Sequence, residues 1–132
     1  MIMHGYKSCF LFFLFLFCLS SVNVFAEEKE DYGIELICFG ATWCEPCQKM
    51  KPVLEELYEE GIKSGWKVYY INVEKYKNTS WVKWHNSRTK SVPHIVICIN
   101  RVPWIESTGL MSKKELLDGL NGAKKELEKS QS

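Results

Sequence analysis

The chain has 132 residues, 46% of them hydrophobic and 25% charged, which fits one globular domain and excludes both a two-domain protein and a disordered one. Its 17 basic and 16 acidic side chains leave a formal charge of +1, so no basic footprint exists for nucleic acid or for an anionic membrane surface. Repeats and low-complexity tracts are absent apart from a Phe/Leu-rich block near the start.

Residues 1–26 read as a secretory signal peptide. Lys7 supplies a positive n-region, Cys9 to Leu19 is an uncharged apolar run of 11 residues, and Val24-Phe25-Ala26 puts small residues where a signal peptidase reads. An uncleaved anchor is the rival reading, but a comfortable span needs about 18 apolar residues, and Ser20 to Asn23 interrupts this one. Phe17 stands before Cys18 where a lipoprotein box has a small residue. Cleavage would leave 106 of the 132 residues, with 16 charges of each sign, in a periplasmic or otherwise extracytoplasmic, disulfide-permissive compartment, free of the membrane. Cys9 and Cys18 would go with the signal, leaving Cys38, Cys44, Cys47 and Cys98.

Residues 27–33 form a short, charged lead-in, and the folded domain is expected over 34–128. Ile34 to Ala41 is an apolar run bounded by Gly33 and Gly40, as in a buried strand. Met50, Val53, Leu54 and Leu57 then fall at i, i+3, i+4 and i+7, with Glu55, Glu56, Glu59 and Glu60 on the other face, so a helix follows Thr42 and closes at Gly61 or Gly65. Pro52 lies inside it and is expected to kink it. Trp66 to Val73 reads as a second buried strand. Asn78-Thr79-Ser80 offers caps for a short helix carrying Trp81, Val82, Trp84 and His85. His94 to Ile99 is a third strand, Asn100-Arg101 a two-residue hairpin turn, and Val102 to Ser107 a fourth strand that Pro103 confines to an edge. Gly109 breaks the chain, and Ser112 to Glu115 has capping-box spacing for a last helix through about Leu127. This β-α-β-α-β-β-α order predicts an α/β fold with a mixed central sheet and helices on both faces.

The chemistry is concentrated in Trp43-Cys44-Glu45-Pro46-Cys47, where a strand gives way to a helix. Cysteines at i and i+3 share a helix face at a spacing that a small adjustment closes to a disulfide, so oxidised and reduced forms can share one backbone. The first sits at the helix N-terminus, where unpaired N–H groups and the dipole favour a thiolate near neutral pH. Pro46 suits the first turn, where a missing N–H is harmless. Cys47, one turn in, is expected to be more buried and to attack second.

These residues resemble the thioredoxin family. The matching positions are Trp43-Cys44-x-Pro46-Cys47 after an apolar strand, Pro52 in the following helix, Val92-Pro93 before the third strand and Gly109 before the last helix, covering nearly all of 34–120 in the family's order. The resemblance implies a three-layer α/β/α sandwich and an extracytoplasmic thiol–disulfide oxidoreductase working as a monomer on disulfide-containing proteins. Cys44 and Cys47 would form the redox-active disulfide, and Pro93 would be a cis-proline that faces it and binds extended substrate backbone. Trp43, Pro46, Val92 and His94 would support substrate binding. Glu45-Pro46 is also similar to the extracytoplasmic reductases that serve cytochrome c maturation, although the 45 residues between Cys47 and Pro93 leave little room for the insertion those carry. Three positions depart from the family's pattern. Cys38 stands where cytosolic thioredoxins have a buried aspartate, Tyr70 where a lysine commonly partners it, and His94 where a threonine often follows the cis-proline. The usual proton route is thereby replaced, with His94 or water as the candidates.

Other readings of the same residues stand beside this one. A zinc site at Cys44 and Cys47 would need two more ligands from His85, His94, Cys38 and Cys98, without a second CxxC or a paired-His motif. A purely structural bridge over so few residues would gain little loop entropy. Cys38 and Cys98, within apolar strands, read as buried thiols, and a bridge between them is the minority reading. Trp81 and Trp84 read as core packing, and the Glu-rich helix face as a solvated surface. The leading function is a secreted or periplasmic reductase of protein disulfides that needs no metal, flavin or nucleotide but does need a redox partner or small thiol to reset it. Its alternative is a non-enzymatic module that binds one protein partner through an oxidised or tethering CxxC. Glu45 beside Cys44 disfavours a second negative charge there and tilts the expectation towards a reductant.

Overall fold

The computed structural model describes residues 33–132; residues 1–26, expected to be a signal peptide, and most of the charged lead-in lie outside the described residues. Strict alternation along β1 (Ile34–Gly40) sets the architecture. Ile34, Leu36 and Cys38 point into one core, and Ile37 and Phe39 into another on the opposite side. Because both faces are covered, the whole strand is buried and its sequence reads as one apolar run. β1 is central in a four-stranded sheet of order β2-β1-β3-β4, parallel to β2 (Trp66–Asn72) and antiparallel to β3 (His94–Ile99), which pairs antiparallel with β4 (Val102–Thr108). Helices α1 (Glu45–Ser64) and α3 (Lys113–Gln131) cover one face, and α2 (Ser80–Arg88) the other. The mixed α/β sandwich expected from the element order is present.

Local chemistry explains the element ends. Met50, Leu54 and Leu57 are buried on the inner face of α1, each worth about 1.5–3 kcal/mol on removal from water. Pro52 lies on its exposed side and the helix runs on to Ser64. Gly65 closes α1 in a left-handed conformation (φ 88°), its N–H donating to the Gly61 carbonyl. Gly61 itself is helical, and a Cβ there would stand 2.5 Å from the Trp66 carbonyl oxygen, so it is small to let β2 start against the helix. The Asn100-Arg101 turn has φ of 49° and 69°, the mirror-image geometry a two-residue hairpin requires. Ser112 and Glu115 make both hydrogen bonds of the capping box, and α3 continues four residues past Leu127 to Gln131.

One expectation is corrected. β2 is an edge strand in which only Trp66 is buried. Its aromatic and β-branched residues make it a good strand, but the parallel crossover from β1 places it outside β1, where one long side of its backbone has no neighbour among the described strands.

Candidate functional site

The site lies where β1 ends and α1 begins. Val73 N–H donates to the Gly40 carbonyl and Cys44 N–H to the Ala41 carbonyl, turning the chain sharply out of the sheet. Gln48 reaches back from the first turn of α1, its Nε2 donating to the Ala41 and Thr42 carbonyls at 3.2 Å each. Sequence reasoning passed over Gln48, although an amide one turn after Cys44 is well placed to tie such a loop.

Cys44 is the N-cap of α1, with Pro46 in the first turn. Cys44 and Cys47 are joined as a disulfide, their Cα atoms 5.2 Å apart, and the Cys47 N–H points at Cys44 Sγ at 3.3 Å. Ala41, Cys44 and Cys47 form a small buried cluster against Val73 and Val92. Cys44 is 4% exposed and Cys47 not at all, so the first residue of the pair lies nearer the surface. The Val92 carbonyl oxygen lies 3.6 Å from Cys44 Sγ, and the Val92–Pro93 peptide is cis, as the resemblance implied. Trp43 projects beside the disulfide, 72% exposed. Glu45 is exposed too and is paired with Lys49 at 3.5 Å, one turn along.

Cys38, Tyr70 and His94 depart from the family's pattern, and each has a definite place. Cys38 and Tyr70 are register partners across β1 and β2 on the α1 side of the sheet. Burial pushes the Cys38 thiol up to about 12, and burial and then Cys38 raise the Tyr70 phenol. Both stay neutral at physiological pH, so this spot holds two uncharged groups instead of an acid and a base. Cys98, raised to about 11 mainly by burial, is on the opposite face from Cys38, which rules out a bridge between them.

His94 turns to the α2 side with Val96 and Cys98 and is wholly buried. Its Nδ1 is 2.7 Å from His85 Nδ1, and its Nε2 is 2.8 Å from Glu106 Oε1. Arg88 grips Glu106 in turn, at 2.7 and 3.3 Å, and holds its carboxyl below the usual carboxylate range. In this arrangement no part of the His94 ring is open to a substrate. The contacts of His94 with His85 and Glu106 were missed because these partners stand 9 and 12 residues away. Alternation along β3, and the inner face that His85 shares with Val82 on α2, carry the only signal for them.

Known proteins bear on this geometry. Residues 19–122 match the family model described as Thioredoxin. A thioredoxin of Buchnera aphidicola subsp. Schizaphis graminum is 30% identical over 103 residues, covering 78% of this chain and 91% of that protein. The chloroplastic thioredoxin Y of Oryza sativa subsp. japonica is 31% identical over 96 residues, 73% of this chain and 54% of that protein. Among solved structures, a thioredoxin mutant from Halobacterium salinarum superposes with a TM-score of 0.58 at 26% identity, covering 69% of this chain and 74% of that one. The germline-specific thioredoxin Deadhead of Drosophila melanogaster gives a TM-score of 0.57 at 22% identity, over 73% and 85%.

Proposed function

The chain belongs to the thioredoxin family and is a thiol–disulfide oxidoreductase; from that premise we propose that it reduces protein disulfides outside the cytoplasm, with Cys44 as the attacking sulfur and Cys47 as the resolving one. The carrying observation is the asymmetry of the pair: Cys44 caps α1, receives the Cys47 N–H and, at 4% against 0%, is the less buried of the two. A helix N-terminus with a free N–H aimed at sulfur favours the thiolate, the reactive form.

The Cys44 thiolate attacks one sulfur of a substrate disulfide and expels the other as a thiolate, leaving a mixed disulfide. Cys47 then loses its proton and attacks Cys44 Sγ, which releases the second substrate thiolate and closes the Cys44–Cys47 bond. Two electrons pass to the substrate, and a dithiol protein or small thiol must return them. Substrate backbone lies along Val92 and Pro93, while Trp43 and Pro46 form the exposed rim that contacts it. His94 supports this surface from within. With Cys38 and Tyr70 both neutral and His94 on the far face of the sheet, none of the three is placed to take the Cys47 proton.

The direction rests on Glu45, whose charge opposes a thiolate at Cys44. Lys49 and solvent weaken that opposition, so the tilt is small. Equilibration of the purified domain with a glutathione buffer is expected to give a potential more negative than about −200 mV; a value near the strongly oxidising end, about −120 mV, would overturn the reductase reading. Location rests on the apolar run and the Val24-Phe25-Ala26 site. Mass spectrometry of the exported protein is expected to find a chain starting at Glu27, and an intact N-terminus on membrane-bound material would replace export with anchoring.

A further inference from the structure

His94 has both ring nitrogens engaged and two aromatic rings packed against it, which is more than a filler needs. Phe39 stacks on it at 5.4 Å and 22°, Trp84 at 5.8 Å and 16°. Glu106, kept ionised by Arg88, accepts from Nε2–H, and in the neutral ring that leaves Nδ1 as an acceptor. His85 must then donate from its own Nδ1, and burial, His94 and Lys90, in that order, push its titration down to about 4, which keeps it neutral. The ring is thereby fastened to α2 through His85 and to β4 through Glu106. Two residues upstream on the same backbone, the Val92 carbonyl faces Cys44 Sγ at 3.6 Å, and between them the Pro93 carbonyl is tied to the Gly109 N–H at 2.8 Å.

A carbonyl oxygen in that position acts on the two forms of the sulfur in opposite ways. It can accept a hydrogen bond from the thiol S–H, and it repels the thiolate. We infer that His85, His94 and Glu106 form a clamp that positions the Val92 carbonyl against Cys44, holding back the thiolate and keeping the protein reducing. The inference rests on the assignment of Cys44 as the attacking sulfur and adds to it the residues that set its reactivity. These are positioning residues, since none touches the reacting atoms. Releasing the clamp lets the carbonyl drift from the sulfur, favours the thiolate, stabilises the reduced form and makes the protein more oxidising.

The test uses the purified protein with two readouts: equilibration with a glutathione redox buffer, and the pH profile of iodoacetamide alkylation at Cys44. His85→Phe keeps a ring stacked on Phe39 but has no N–H to donate, whereas His85→Gln restores a donor. In His85→Phe the glutathione equilibrium is expected to move at least about threefold towards the reduced form, with the Cys44 alkylation midpoint at lower pH; His85→Gln is expected to return most of the way. Glu106→Ala, at a partly exposed position, removes the acceptor on the other nitrogen and is expected to shift both readouts in the same direction, which keeps the test open should His85→Phe fold poorly. Folded variants with wild-type values in both readouts would overturn the clamp, as would a shift towards the oxidised form or a His85→Gln indistinguishable from His85→Phe. A wild-type protein that failed to react with glutathione at all would instead bring down the exchange reading on which the clamp depends.

Discussion

Cys47→Ser is expected to accumulate a mixed disulfide with substrate, bonded through Cys44, and to lose turnover by roughly 10³-fold or more. Attack by Cys44 is untouched in this variant, but the sulfur that would displace the substrate is gone. Cys44→Ser is expected to lose turnover as severely and to trap almost nothing. Cys47 has no exposed surface, and its own N–H is aimed at Cys44. In a chain that begins at Glu27, the remaining cysteines should give no background. Cys38 and Cys98 are at most 1% exposed, and burial holds their thiols protonated, up to about 12 and about 11. Non-reducing electrophoresis after exposure to a disulfide-containing protein, followed by peptide mass mapping, reads the outcome. Adducts found on Cys47 would reverse the two roles and remove the helix-terminus explanation of reactivity.

Much of this fold can be read from short-range chemistry. The turn at Asn100-Arg101, the Ser112–Glu115 box and the apolar run of β1 are each decided by a few adjacent residues, and each is present. The paired cysteines belong to the same class, because a CxxC where a strand meets a helix specifies its own geometry. What escapes the sequence is decided between segments. Trp66 to Asn72 has the same β-favouring composition in the middle of a sheet as at its edge, and only the order β2-β1-β3-β4 makes it an edge strand. His94 is the sharper case. Its place after Pro93 directs attention to the disulfide, but period-two alternation sends its side chain through the sheet to α2. There it meets two partners that no local pattern connects to it. Glu35 illustrates the same limit: a glutamate inside an apolar strand reads as an anomaly until the hairpin brings Arg101 across to it.

Arg101→Gln is expected to destabilise the protein by about 2–3 kcal/mol, a fall in melting temperature of roughly 10 °C or more for a domain of this size. Glu35 is 1% exposed in the middle of the sheet, and Arg101 Nε stands 3.1 Å from its Oε1 as an ion pair. Removing one partner of a buried pair costs about 3–5 kcal/mol, because the other charge is left without compensation. Two features lower that figure here. Arg101 is itself 44% exposed, so the pair sits at the boundary of the core. A cavity of about 230 Å³ lined by Glu35, Ile37, Tyr69, Ile71, Trp81 and Arg101 gives solvent a way to the orphaned carboxylate. The guanidinium also lies 5.5 Å over the Trp81 ring, so part of the loss is stacking, on the order of 0.5–1 kcal/mol. The two contributions separate in a double-mutant cycle. Glu35→Gln/Arg101→Gln has no buried charge to strand and is expected to recover more than half of the loss, leaving mainly the stacking deficit. A double variant as unstable as Arg101→Gln alone would show that the Trp81 contact, not the charge on Glu35, is what Arg101 contributes to the fold.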